Sequence, residues 1–215
     1  MNWFIKTYRL SKQSESIFIL FLIKNLYYAV NGIKINAHHL TEIKNISNII
    51  TQKNVNIGID YFGFSSKHDR SYLNIRGKLV FNGNFSIGKG CRFDIGPNAI
   101  AEIGDNGYVS PNTWFVISHG LSIGNNCAIS WGCQFLDDDF HTLEYGNQKQ
   151  IKNNKITIGN NVWIGCNSFI YKGVNIPNGC VIASNSVVKS SFFEENTLIA
   201  GNPAVVIKKN VTWKD

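Results

Sequence analysis

Large apolar residues recur every six positions through the C-terminal half of the chain. Ile158, Ile164, Ile170, Ile176, Ile182 and Val188 follow one another at that interval, and Ile117, Ile123, Ile129 and Phe135 do so before them. A period of six is neither the 3.6 of a helix nor the 2 of a simple strand. It predicts a short flat strand, a tight turn and another flat strand. Three hexads then close a triangular coil of roughly 18 residues, and stacked coils make three parallel sheets. Four positions after each large residue stands a smaller one that should also point inward: Cys127, Cys133, Val162, Ser168, Val174, Cys180 and Ser186. The turns fall on Gly124-Asn125-Asn126, Gly159-Asn160-Asn161 and Pro177-Asn178-Gly179, residue types that accept tight or left-handed backbone. The competing architecture, a sandwich of short antiparallel strands, keeps no strict phase.

The ladder is less regular upstream. Ile75, Phe81, Ile87 and Phe93 keep the step of six, and Ile103, Val109 and Phe115 keep it in a shifted phase. The breaks near 96–102 and 116–117 read as bulges or corner insertions. Residues 1–54 show no hexad phase and are expected to form a helical or connector region, with helix over 14–30 and around 41–51. Val55–Gly58 reads as the first fragment of a coil. The mainly β domain is expected over 55–207. Within it, residues 136–157 lack the hexad and carry Asp137, Asp138, Asp139, His141 and Glu144, so they read as a loop thrown out from one corner of a rigid repeat, a common place for function. The coil is expected to end near Val188, followed by a connector over 190–196, the turn Ala200-Gly201-Asn202-Pro203-Ala204 and a basic tail over 208–215.

Composition narrows the function. The chain has 215 residues and a formal net charge of +7, which suits an anionic partner. There is no recognised nucleic-acid motif or dense basic stripe. All five cysteines lie inside the repeat, four of them in the small inward slot, and they read as apolar fillers in a reducing compartment. No small-residue cleavage site follows the apolar stretch near the start, so a cytoplasmic location is expected. The stretch 17–30 is strongly apolar yet too short to span a bilayer. It reads as a helix packed on the body or a neighbouring subunit, or as an interfacial helix giving peripheral association with the inner face of a membrane.

Asp139-Phe140-His141, the run Ile158-Gly159-Asn160-Asn161-Val162-Trp163-Ile164-Gly165, Lys172-Gly173-Val174 and Ala200-Gly201-Asn202-Pro203-Ala204 together resemble the hexapeptide-repeat acyltransferases of the left-handed parallel β-helix fold. Within that group the chain is most similar to O-acetyltransferases of bacterial surface polysaccharides and to the maltose and galactoside acetyltransferases. The resemblance covers residues 117–208 tightly and does not cover the first 54. It implies a homotrimer with active sites between subunits, acetyl-CoA as co-substrate and a sugar or glycan hydroxyl as acceptor. The stretch 189–213 is particularly similar to sialic-acid-capsule O-acetyltransferases, and the positive charge would suit an acidic polymer.

A sugar hydroxyl is a poor nucleophile and needs a base to take its proton, a task for which histidine is suited. His141 matches the family's catalytic histidine, and Asp139 is the candidate to orient it, with Asp137, Asp138, Glu144 or a backbone carbonyl as rivals. The resemblance puts cofactor contacts at Trp163, Gly165, Cys166, Ala183 and Ser184. It leaves the 3′-phosphate to Lys208, Lys209 or Lys189. His119 and Trp131 are candidates for acceptor binding. No metal is expected: a zinc hydratase on this fold needs three imidazole ligands, and the coil offers only His119 and His141. A non-catalytic trimeric scaffold and an N-acyltransferase on an amino sugar remain open.

Overall fold

The computed structural model describes residues 3–60, 62–141 and 154–214. Among them the chain winds into a parallel β-helix of triangular section, as the hexads predict. The first face has nine strands, the second seven and the third six, and each strand hydrogen-bonds to the strand one coil away. Inside the prism, every large residue of the two C-terminal hexad runs is at most 3% exposed, and the small-slot residues from Cys127 to Ser186 are equally buried. Phe93, Phe115 and Phe135 stack through the interior with successive centroids 4.4 Å apart.

The pairing register explains why the period is clean in one half and broken in the other. Ile164 pairs with Ile182 and Ile170 with Val188, each 18 residues on. Upstream, Leu73 pairs with Phe93 and Phe115 with Phe135, 20 on, while Ile95 pairs with Ile117 and Phe81 with Ile103, 22 on. The extra residues sit at corners, so inward alternation within each strand survives while the phase along the chain slips. Two steps are much longer. Ile57 pairs with Ile87, 30 on, around an insertion at 58–71. Ile129 pairs with Ile164, 35 on, around the loop after Leu136.

Corner asparagines adopt left-handed backbone at Asn106, Asn126, Asn161, Asn167 and Asn185. On the edge between the third and first faces other asparagines link coils: Asn178 Oδ1 accepts from Asn160 N–H, Asn160 Oδ1 from Asn125 N–H, and Asn125 Oδ1 from Asp105 N–H, at 2.7–2.8 Å. Backbone donors at the turns, which a flat coil would leave unpaired, are satisfied by the next coil's side chains.

The N-terminal boundary needs correction. The coil does not start at 55: strands Ile35–Ala37, Glu42–Lys44 and Ile49–Thr51 already supply one strand to each face. The segment 41–51, expected as helix, is therefore mostly strand. Its step of six, Ile43 to Ile49 to Val55, is short, and Ile46 and Ile50 off that step blur it; Ile43 and Ile46 are only partly buried against the core. The helices are α1, Trp3–Gln13, and α2, Phe18–Val30. In α2, Asn25 closes the end of the prism by accepting from Ala37 N–H (2.7 Å) and donating to Ala37 O (3.2 Å), which pairs an otherwise open edge strand. The C-terminal boundary also shifts. Leu198–Gly201 adds a further parallel strand beyond Val188, and Ala204–Lys208 turns back antiparallel to close the first face. In the tail, Trp213 Nε1 donates to Asn161 O at 2.8 Å.

Candidate functional site

The candidate catalytic loop leaves the edge between the second and third faces. Its root is set by Asp137, whose fully buried carboxylate accepts three backbone N–H bonds from the coil below: from Ser118 at 2.6 Å, His119 at 2.8 Å and Gly120 at 2.7 Å. A charge held by three donors in a buried corner is a strong anchor. These bonds give Asp137 a structural role at the root, and among the described residues it makes no bond to His141.

The next two aspartates also find partners. Asp138 Oδ1 accepts from Phe140 N–H at 3.0 Å, and this bond holds its pKa below the usual carboxylate range. Its Oδ2 lies 3.2 Å from His119 Nε2, which is also 3.3 Å from Asn154 Nδ2. Asp139, expected to orient the catalytic histidine, instead forms an ion pair with Lys172. Phe140 takes a left-handed backbone with φ of 57°, and His141 follows it into solvent. Among the described residues no hydrogen bond is made to the His141 ring. Glu144, the remaining rival, lies outside the described residues.

A cleft of about 470 Å³ opens beside this root, lined by Asp139, Asn154, Tyr171, Lys172, Lys189 and Ser191 among others. Gly173, with φ of +69°, turns the chain after Lys172, and its N–H donates to Asn154 O at 2.8 Å. The returning end of the loop is thereby pinned to the coil above. Lys172 is the site residue that sequence reasoning quoted only as motif text. Its partner Asp139 lies 33 residues away along the chain, so no local pattern marks the pair.

The expected cofactor contacts gather at a different edge, between the first and second faces. Gly165 stands where a Cβ would meet Ser184 N at 2.6 Å and Ile182 O at 2.8 Å, so only glycine lets the coils close up. Cys166 Sγ lies 3.2 Å from Ser184 Oγ at the surface, with Ala183 beside it. Trp163 points outward as expected, 41% exposed, and its Nε1 donates to Ser130 Oγ at 3.2 Å. Trp213 packs against its ring with centroids 6.2 Å apart. Trp131 sits on the same edge, against Phe64 from the 58–71 insertion at 5.5 Å. A groove of about 540 Å³ runs along this face past Asp60, Ser86, Tyr108, Trp131, Trp163 and Trp213. Phe64 and Trp213 were not anticipated. The first lies in an insertion with only a short run in phase on its N-terminal side, and the second ends the stretch 189–213, whose resemblance assigned it no role.

Lys189 belongs to the histidine's edge, and Lys208 ends the antiparallel strand. Lys209 is paired with Glu194 at 2.7 Å. The chain therefore carries two groups at separate edges: His119, His141, Lys172 and Lys189 at one, and Trp163, Gly165, Cys166 and Ser184 at the other. Of the remaining cysteines, Cys91 is pushed up to about 12 and Cys127 and Cys133 to about 11 by burial, so these are thiols and not nucleophiles. No cluster with metal-ligand composition occurs among the described residues.

Residues 155–190 match the family model described as bacterial transferase hexapeptide (six repeats). A 24.8 kDa protein of uncharacterized function from the cps region of Klebsiella pneumoniae is 41% identical over 175 residues, covering 80% of this chain and 78% of that one. WbbJ of Escherichia coli (strain K12), provisionally named a lipopolysaccharide biosynthesis O-acetyl transferase, is 29% identical over 148 residues, covering 64% and 75%. Among solved structures, the polySia specific acetyltransferase NeuO is similar with a TM-score of 0.55 and 22% identity, covering 84% of this chain and 71% of that one. That last likeness is one of fold.

Proposed function

The chain belongs to the bacterial hexapeptide-repeat transferase family, and from that premise we propose that it moves an acetyl group from acetyl-CoA to a hydroxyl of a sugar or bacterial polysaccharide, with His141 as general base. The observation that carries this reading is the position of His141. It is exposed and unpaired among the described residues, on a loop whose root is locked by Asp137 and whose return is pinned at Gly173.

In the proposed step, an imidazole nitrogen of His141 takes the hydroxyl proton as the acceptor oxygen bonds to the thioester carbonyl carbon. The tetrahedral intermediate collapses with breakage of the C–S bond, and the proton passes from the imidazolium to the leaving thiolate. No covalent acyl-enzyme is required. Acceleration of about 10²–10⁴-fold is ordinary for one such positioned base. In this chain Asp139 makes an ion pair with Lys172, so a role for it on His141 would require that pair to open.

The two edges support a homotrimer. A head-to-tail contact that closes in a ring brings different surfaces of identical chains together. It would set the His141 edge of one prism against the Trp163–Ser184 edge of the next, completing a site that neither holds alone. Lys189, Lys208 and Lys209 remain the candidates for the cofactor's 3′-phosphate. The net charge of +7 fits an acidic acceptor, and the five free cysteines fit a reducing compartment such as the cytoplasm.

The test is acetyl-CoA turnover with neutral glycans, acidic glycans and amino sugars, wild type beside His141→Ala. O-acetylation that collapses in the variant supports the proposal. An amine as the preferred acceptor, with rate retained in His141→Ala, would assign N-acyl transfer, because an amine depends less on the base.

A further inference from the structure

The two N-terminal helices are turned inside out. Helix α1 buries only Thr7 and Ser11 and leaves Trp3, Phe4, Ile5 and Tyr8 about half exposed. Helix α2 buries Phe21, Asn25 and Tyr28, and exposes Ile19, Leu20, Ile23, Leu26, Tyr27 and Val30 by 47–78%. The ring of Phe18 ties the pair together, edge-on to Phe4 at 5.5 Å and to Tyr8 at 5.3 Å. A cleft of about 1190 Å³ continues the apolar surface between α2 and the first coil, past Ile43, Ile46 and Ile50. Apolar surface this contiguous marks a place where something docks.

Charge indicates what docks. Neither helix contains an aspartate or glutamate, while α1 carries Lys6, Arg9 and Lys12 at its surface. The one acid between them, Glu15, is turned to the buried Lys89 at 3.8 Å. Lys24 is used internally, donating to His39 O and Thr41 O. Helix α2 has 13 residues, and no helix among the described residues is long and apolar enough to cross a membrane. Short helices with exposed aliphatic side chains, Trp and Tyr and a basic fringe lie in the plane of a bilayer interface. A second copy is the poorer occupant: a twofold contact through the helices would set like charges against each other, and in the head-to-tail ring proposed above the surfaces that meet are the His141 and Trp163–Ser184 edges.

We propose that α1 and α2 dock the protein on an anionic lipid surface, with Ile19, Ile23 and Trp3 entering the acyl boundary and Lys6, Arg9 and Lys12 among the headgroups. The proposal does not rest on the catalytic reading, because the helices pack on the first coil, far along the stack from His141.

The test is flotation of the full chain with vesicles of phosphatidylcholine alone and with about one-third phosphatidylglycerol, in low and high salt. Retention on the anionic vesicles should exceed that on neutral ones by about tenfold and fall in high salt, as screened surface attraction requires. Ile19→Glu with Ile23→Glu should abolish most of it without lowering the thermal midpoint, since both side chains are over 60% exposed. Absence of retention on anionic vesicles would overturn the proposal. So would a double variant that floats like wild type, or one that loses only molar mass in light scattering, which would assign the face to another copy of the chain.

Discussion

The prism is interrupted by two long insertions, and they are built by different physics. The insertion at 58–71 lies back on the molecule. Phe64 packs on Trp131, Ser66 N–H donates to Asp69 at 2.8 Å, and Asp60 bonds both Ser86 and Gln13. It starts at Gly58, whose φ of +67° brings it against His38, where a Cβ would lie 3.0 Å from that side chain. The second insertion is held at its roots by carboxylates. Asp137 grips the coil below, Asp138 grips Phe140 and His119, and Asp139 grips Lys172. The first insertion adds an aromatic contact with the body, Phe64 on Trp131, to the bonds that Asp60 makes at its root. In the second, carboxylates fasten the outgoing root, a backbone bond from Gly173 N–H to Asn154 O fastens the return, and His141 stands exposed just past the root. A rigid repeat thus serves two purposes with one device, a corner extended without disturbing the strands on either side.

The sharpest way to break this contrast is Asp137→Ala. It removes the acceptor of three N–H groups, that of Gly120 buried and those of Ser118 and His119 part-buried; a buried donor left unpaired costs about 1–3 kcal/mol, so stability should fall by roughly 2–3 kcal/mol by denaturant titration. Turnover should fall further than stability alone explains, because the loop's root is released.

Acid should attack the seat of the first insertion instead. His38 is 1% exposed, and burial, then His39, Lys89, Lys24 and His68, depress its pKa from 6.5 to about 3. The unfolded chain binds a proton near pH 6.5 that the folded chain refuses until about pH 3. Stability is therefore flat above that window and declines as pH falls through it. Between pH 7 and 5 the loss should be about 2 kcal/mol from this group, measured as the shift of the denaturation midpoint. His38→Gln should flatten that slope.

Smaller effects separate the insertions more finely. Phe64→Ala should cost about 1 kcal/mol, the worth of an aromatic pair, and should alter acceptor affinity more than rate if the groove binds glycan. Asp139→Asn removes a half-exposed ion pair and should change stability by at most about 1 kcal/mol. A large loss of turnover from that change would place Asp139 on His141 in the assembled enzyme.

Much of this organisation is legible in the residues. The hexads from Ile117 to Val188 give the prism, and their failure after Phe135 gives the loop, because unbroken phase lies on both sides. The first insertion leaves no such mark. Before it the step of six runs only through Ile43, Ile49 and Val55, too short a series to stand out from the other apolar residues of 35–50. The aspartates' roles were invisible for another reason. Which of three consecutive carboxylates meets a backbone donor, an imidazole or a lysine depends on how the second and third faces meet at the corner. A period along the chain does not carry that information. The outward-turned helices were recognisable as apolar, but only burial shows that Ile19 and Ile23 face out while Asn25 faces in.

The central claim is that the loop exists to present His141 to an acceptor hydroxyl. The direct measurement is the rate of acetyl transfer from acetyl-CoA to the best glycan acceptor, wild type against His141→Ala, with thermal midpoints compared. The account predicts a fall of at least about 10²-fold at unchanged midpoint. Equal turnover in the two proteins would contradict it.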